Sequence, residues 1–149
     1  MLSQTNEATL ESHIEKALAK DGPVQAALRS AWPELLAGYA FGSRVQGKGQ
    51  TDSDLDLAVL LPGYAAPLQL WELASQLADV VGCPVDLLDL RSASTIMQYQ
   101  VLMQGRKLWS LEPAAGCFEA FVLSEHTQLR DARAGLLADI AKNGRIYGR

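Results

Sequence analysis

The spacing of apolar residues divides the chain into short helical and extended segments. Leu10, Ile14, Ala17 and Leu18 recur at helical intervals and end at Asp21-Gly22-Pro23, which predicts an amphipathic helix over 7–20. A second short helix is expected over 24–30. The charge-free run 35–41, with Tyr39 and Phe41, predicts a buried strand that stops at Gly42-Ser43. Residues 44–53 hold Gly47, Gly49 and two cations, a pattern for a brief helical turn and a loop. A second strand follows over 55–61, ended by Pro62-Gly63. Leu70, Leu73, Ala74, Leu77, Ala78 and Val81 place a helix over 67–81, with Gly82 as its stop. A third strand over 84–90, a helix over 93–104 closed by Gly105, and a small edge strand over 106–110 come next. Phe118, Phe121, Val122, Leu129, Leu136, Leu137 and Ile140 are expected as apolar contacts of a long helix over 114–143, with a loose tail from Gly144. This order predicts an α+β (mixed α/β) fold, a small mixed sheet flanked by helices. One domain spans 1–149, its core over about 35–109.

Composition narrows the function. At 149 residues and 48% hydrophobic, a chain can bury roughly 68–70% of its unfolded surface and needs no disulfide or metal to hold a core. Thirteen Lys and Arg against seventeen Asp and Glu give a net charge of −4, which argues against a protein dedicated to coating nucleic-acid phosphates. The longest uncharged stretch, 57–71, is broken by Pro62, Gly63 and Pro67 and is shorter than the ~20 apolar residues of a membrane span. The first residues lack the basic and apolar regions of a signal peptide, so a cytoplasmic protein is expected. Cys83 and Cys117 are isolated and read as ordinary buried or half-buried thiols.

The candidate chemistry lies at Gly42-Ser43, then after ten intervening residues at Asp54-Leu55-Asp56, and at Asp86 on the third strand. Residues two apart on a strand share a face. Two ionised carboxylates there repel by roughly 4 kcal/mol at 4 Å and an effective dielectric of 20, so a cation belongs beside them. Hard oxygen ligands without a dedicated cage suit Mg²⁺, completed by substrate phosphates. Asp86 offers a third ligand and room for two ions, the arrangement that serves in-line displacement at phosphorus. A glycine at a strand end admits a ligand to the backbone, and the following amides and the Ser43 hydroxyl can donate to phosphate oxygens. Arg44 and Lys48 stand near enough in sequence to neutralise the β- and γ-phosphates.

Gly42, Ser43, Asp54, Asp56 and Asp86 together resemble the signature of the DNA polymerase beta superfamily of nucleotidyltransferases. Gly-Ser-Arg-Val-Gln-Gly at 42–47 and Thr-Asp-Ser-Asp-Leu-Asp-Leu-Ala-Val at 51–59 are similar to its minimal members. The chain further resembles the MntA-type antitoxins, which are encoded beside HEPN-domain RNase toxins. The likeness covers about 35–109, and Gln46 departs from it, standing where many minimal members carry a second Arg. The resemblance implies a polymerase-beta-like fold and Mg²⁺-dependent transfer of AMP from ATP. Asp54, Asp56 and Asp86 would be catalytic and metal-binding, Gly42, Ser43 and Arg44 nucleotide-binding. It also implies a HEPN-toxin tyrosine as acceptor, pyrophosphate as leaving group and a possible hetero-oligomer with the toxin.

Plainer readings stand beside these. Asp54, Asp56 and Asp86 can be solvated strand-end carboxylates, and Gly42-Ser43 an ordinary corner. Arg44 is balanced between a phosphate and a structural ion pair, Lys48 leans to solvent, Asp52 to a turn or cap, and Asp89 to structure. His13 and His126 lie at unrelated helical positions, and Ser43 has no partnered histidine for nucleophilic chemistry. Trp32, Trp71 and Trp109 read as core or half-buried, and Arg130, Arg133, Arg145, Tyr147 and Arg149 as a solvated helix face and tail. Two other functions fit the same residues: nucleotidyl transfer to a small molecule such as an aminoglycoside, and an antitoxin that only occludes its toxin.

Overall fold

The computed structural model describes residues 2–47 and 53–143. Lys48, Asp52, Arg145, Tyr147 and Arg149 therefore lie outside the described residues, as does the tail from Gly144. In chain order the elements are α1 (Leu2–Leu18), α2 (Pro23–Ala31), β1 (Ala37–Phe41), β2 (Leu55–Leu60), α3 (Pro67–Val81), β3 (Val85–Asp89), a 3-10 turn (Leu90–Ser92), α4 (Thr95–Gln104), β4 (Arg106–Ser110) and α5 (Ala114–Asn143). Pro23 and Pro67 open α2 and α3, where a missing N–H costs nothing. Gly82 closes α3 in the left-handed conformation (φ +83°). Ser94 caps α4 by accepting from the Met97 N–H at 3.1 Å.

The strands form one sheet in the order β3-β2-β1-β4, parallel between β2 and β3 and antiparallel elsewhere. Both faces are covered. Leu55, Leu57 and Val59 pack with Leu28, Trp32, Leu73, Leu77 and Val81 on the side of α1, α2 and α3. Ala37, Tyr39, Ala58 and Leu60 pack with Val101 and Ala115 on the side of α4 and α5. Beyond Asp56 the whole of β2 is consequently buried, with no polar alternation left.

Three expectations are corrected. The first is Trp71, which is 70% exposed rather than half-buried. It sits one residue past Leu70 on α3, about 100° out of the inward stripe of Leu73, Leu77 and Val81. The second is α5, where Val122 is buried but Phe121, Leu129, Leu136 and Leu137 are exposed. A five-residue strand is about 17 Å long and a 30-residue helix about 45 Å. The sheet cannot cover such a helix, and nothing among the described residues covers Leu129, Leu136 and Leu137. Arg130 and Arg133 share that exposure, as expected of a solvated face. The third is Cys117, which is exposed on α5, while Cys83 is buried as expected.

Candidate active site

Antiparallel pairing puts the end of β1 beside the start of β2, with Phe41 opposite Asp56. Parallel pairing then sets Asp86 directly beside Asp56. The two carboxylates thus issue from adjacent strands on the face that carries α4 and α5. Asp54, two residues earlier, lies exposed just before β2. Gly42 follows β1 with φ +84°, and a Cβ there would collide with the Asp56 carboxylate oxygen. Only glycine meets both demands, the left-handed backbone and the carboxylate resting against its bare Cα.

Residues 42–47 then turn tightly. The Gln46 N–H donates to the Gly42 carbonyl at 3.1 Å and the Gly47 N–H to the Arg44 carbonyl at 3.3 Å. Ser43 is exposed near the start of this turn. The Gln46 side-chain amide donates to Gln104 Oε1 at 2.9 Å and fastens the turn to the C-terminal end of α4. Gln46, read from sequence as a missing second arginine, is therefore a structural tie. Arg44 donates from Nε to the Ser53 carbonyl at 2.8 Å, which ties the turn to the residue before Asp54.

The electrostatics follow from the register. Burial first, then the charges of Asp86 and Asp54, push the Asp56 carboxyl above its ordinary value. None of the three carboxylates joins the ion pairs among the described residues, which link Arg106 to Glu15 and Lys107 to Glu119 and Glu112. They do not close into a three-ligand cage among the described residues either. An open set of hard oxygens that forms no ion pair among the described residues fits Mg²⁺, which keeps waters and is completed by substrate phosphates.

The other sequence candidates fall elsewhere. Asp89 is 4% exposed and structural, accepting from the Ala65 N–H at 2.9 Å and the Arg91 N–H at 3.2 Å. His13 bonds the Val80 carbonyl at 2.9 Å, and His126 stacks on Tyr99 with ring centres 3.6 Å apart. One network was not foreseen: the Tyr39 hydroxyl donates to Glu119 Oε1 at 2.7 Å, and Lys107 Nζ lies 2.8 Å from the same oxygen. Burial, then Glu119, raises the Tyr39 phenol far above its usual range. The available signal was a tyrosine in an otherwise apolar strand, whose hydroxyl needs a partner. That partner is 80 residues away, beyond local pattern.

The sequence matches the family model described as "Polymerase beta, Nucleotidyltransferase" over residues 24–114, from α2 to the start of α5, a span that contains all six candidate residues. The chain belongs to this family. It is 38% identical to the protein adenylyltransferase MntA of Shewanella oneidensis over 116 residues, 78% of this chain and 84% of that one. It is also similar to a crystal structure of a toxin-antitoxin with AMP-PNP, at 36% identity and TM-score 0.68, covering 79% of this chain and 95% of that one. A third likeness is to a structure of the tri-AMPylated Shewanella oneidensis HEPN toxin in complex with MNT antitoxin, at 34% identity and TM-score 0.64, covering 80% and 93%. In the described residues no helix is long and apolar enough to cross a membrane.

Proposed function

We propose that this chain is a protein adenylyltransferase that acts as an antitoxin, moving AMP from ATP to a tyrosine hydroxyl of a HEPN-domain RNase toxin. The observation that carries the reading is the register that sets Asp56 beside Asp86 and against the bare Cα of Gly42. The likeness to MntA and to HEPN-toxin complexes supports the acceptor class. On this reading the protein is a single minimal nucleotidyltransferase domain, cytoplasmic, with no dedicated nucleic-acid surface, and it assembles with its toxin.

Asp54, Asp56 and Asp86 would hold Mg²⁺, with room for two ions. Bound there, the cation supplies Lewis-acid neutralisation of phosphate charge. The chain's own residues do the rest. Backbone amides of the turn after Gly42 and the Ser43 hydroxyl donate to the triphosphate, and the missing Cβ lets it approach. Arg44, anchored through Nε on the Ser53 carbonyl, would present its guanidinium to the triphosphate from the same turn. Asp86, exposed at the start of β3, draws the proton from the acceptor hydroxyl. The hydroxyl oxygen bonds to the α-phosphorus as the bond to the β-phosphate oxygen breaks, and pyrophosphate leaves.

The test is intact-mass spectrometry of the HEPN partner after incubation with this chain, Mg²⁺ and each nucleoside triphosphate in turn. A gain of one or more AMP units with ATP, lost in the Asp54→Asn/Asp56→Asn variant, is expected. An unchanged mass while RNase activity is still suppressed would overturn transfer in favour of occlusion.

A further inference from the structure

At the opposite end of the sheet lies a groove of about 710 Å³, lined by Leu36, Tyr64, Arg91, Gln98, Phe118 and Phe121 among others. Leu36 precedes β1, Tyr64 follows β2 and Arg91 follows β3, whereas Gly42, Asp56 and Asp86 stand at the other ends of the same strands. Five residues of strand separate the two places by roughly 17 Å. A ligand in this groove is therefore not the group undergoing transfer.

The groove combines exposed aromatic walls with one fixed cation. Tyr64 is 74% and Phe121 61% exposed. Arg91 donates from Nε to the Leu61 carbonyl at 2.9 Å, and its guanidinium carbon sits 5.2 Å from the centre of the Phe118 ring. Gln98 holds the Arg91 backbone from below, donating to the Leu90 carbonyl at 3.0 Å and the Arg91 carbonyl at 3.4 Å. No carboxylate of the described residues pairs with this guanidinium. Asp89, the nearest in sequence, uses its oxygens on the backbone N–H groups of Ala65 and Arg91. The terminal guanidinium nitrogens are left without a partner among the described residues. A fork held at Nε and stacked on a ring is set to receive a carboxylate, and the aromatic walls to receive an apolar side chain beside it.

We infer that this groove docks a segment of the partner protein that presents a carboxylate next to an apolar or aromatic side chain, and so holds the acceptor away from the transfer site. The inference rests on the proposed function, because only a macromolecular acceptor spans both places. Among the described residues that line the groove Arg91 is the charged side chain and no carboxylate opposes it, so complementarity selects an acidic segment.

The test compares wild type with Phe121→Glu and Arg91→Gln by calorimetric titration of the HEPN partner, alongside binding of a non-hydrolysable ATP analogue to the chain alone. Each variant is expected to weaken partner binding about tenfold or more, as loss of an interface anchor does, with analogue binding within twofold of wild type. Phe121 makes no polar contact in the fold, so its variant answers even if Arg91→Gln is unstable. Unchanged partner affinity in a folded Phe121→Glu overturns the docking site while leaving transfer standing. A wild-type chain that neither binds nor modifies the HEPN partner overturns the proposed function instead. Light scattering closes the remaining case: a wild-type dimer made monomeric by Phe121→Glu, with partner affinity intact, assigns the groove to a second copy and overturns the inference.

Discussion

Two glycines of the same turn separate backbone strain from site geometry. Gly42 and Gly47 both have positive φ, +84° and +75°. A Cβ at Gly47 meets nothing within 4 Å, whereas one at Gly42 runs into the Asp56 carboxylate. Alanine at either position carries the left-handed penalty of about 1–2 kcal/mol. In a chain of this length that lowers Tm by about 3–6 °C, taking an unfolding entropy of ~2.1 cal/mol/K per residue. The added clash at Gly42 falls mainly on the far end of a flexible side chain, so Asp56 relieves it by swinging away at little further cost in stability. It is the carboxylate that is lost from position, and a displacement of roughly 1 Å in a reacting constellation costs on the order of 100-fold in rate. Gly42→Ala and Gly47→Ala should therefore melt within a few degrees of each other by scanning fluorimetry. Mass-spectrometric time courses of AMP incorporation should fall about 100-fold in Gly42→Ala alone. Equal rates in the two variants, or a Gly42→Ala protein with wild-type turnover, would refute the claim that Asp56 is positioned by the absence of a Cβ.

Asp56 titrates above its ordinary value in the fold, so the folded state prefers it protonated, and that stability is present at acid pH and lost as pH rises through the raised value. Melting at neutral pH without divalent cations should show Asp56→Asn more stable than wild type, although transfer is abolished. The gap should shrink as pH falls to the ordinary carboxylate range and on adding Mg²⁺ to wild type; a variant less stable at every pH would contradict the repulsion argument. Tyr39→Phe removes a hydrogen bond to a charged acceptor, a loss of about 1.5–3 kcal/mol that should lower Tm by about 5–10 °C in a chain of this length. No change would mean that Lys107 alone holds Glu119. A thiol reagent should titrate one cysteine in the native protein, the exposed Cys117, and two in denaturant, because Cys83 is buried and burial raises its thiol pKa. Two fast native thiols would place Cys83 at the surface.

Contiguous residues carry enough information for contiguous structure. The apolar stripe and Pro67–Gly82 punctuation delimit α3 at Pro67–Val81, and the edge strand Arg106–Ser110 and the helix Ala114–Asn143 begin and end where the pattern says. The pairing of Gly42-Ser43 with Asp54 and Asp56 is legible for the same reason, since a strand end, a turn and a strand start are local events. The element ends differ by a few residues: α1 begins at Leu2 rather than near Glu7, and Leu35 and Leu36 precede β1, although Leu36 bonds the backbone of Leu60 and Leu111. Sequence could name Asp86 but could not show it abreast of Asp56, because that alignment is a register between strands 30 residues apart. Nor could it show that Gly42 backs onto the Asp56 carboxylate, that Arg44 anchors on Ser53, or that Tyr39 meets Glu119 and Lys107 from three separate elements. Trp71 and the outer leucines of α5 mark the same divide from the other side. Periodicity says that a helix has an apolar stripe, but whether the stripe is covered depends on how much sheet and helix the rest of the chain brings to it. Here a five-residue strand layer leaves half of α5 open, and that difference in length is decided only when all the elements are in place.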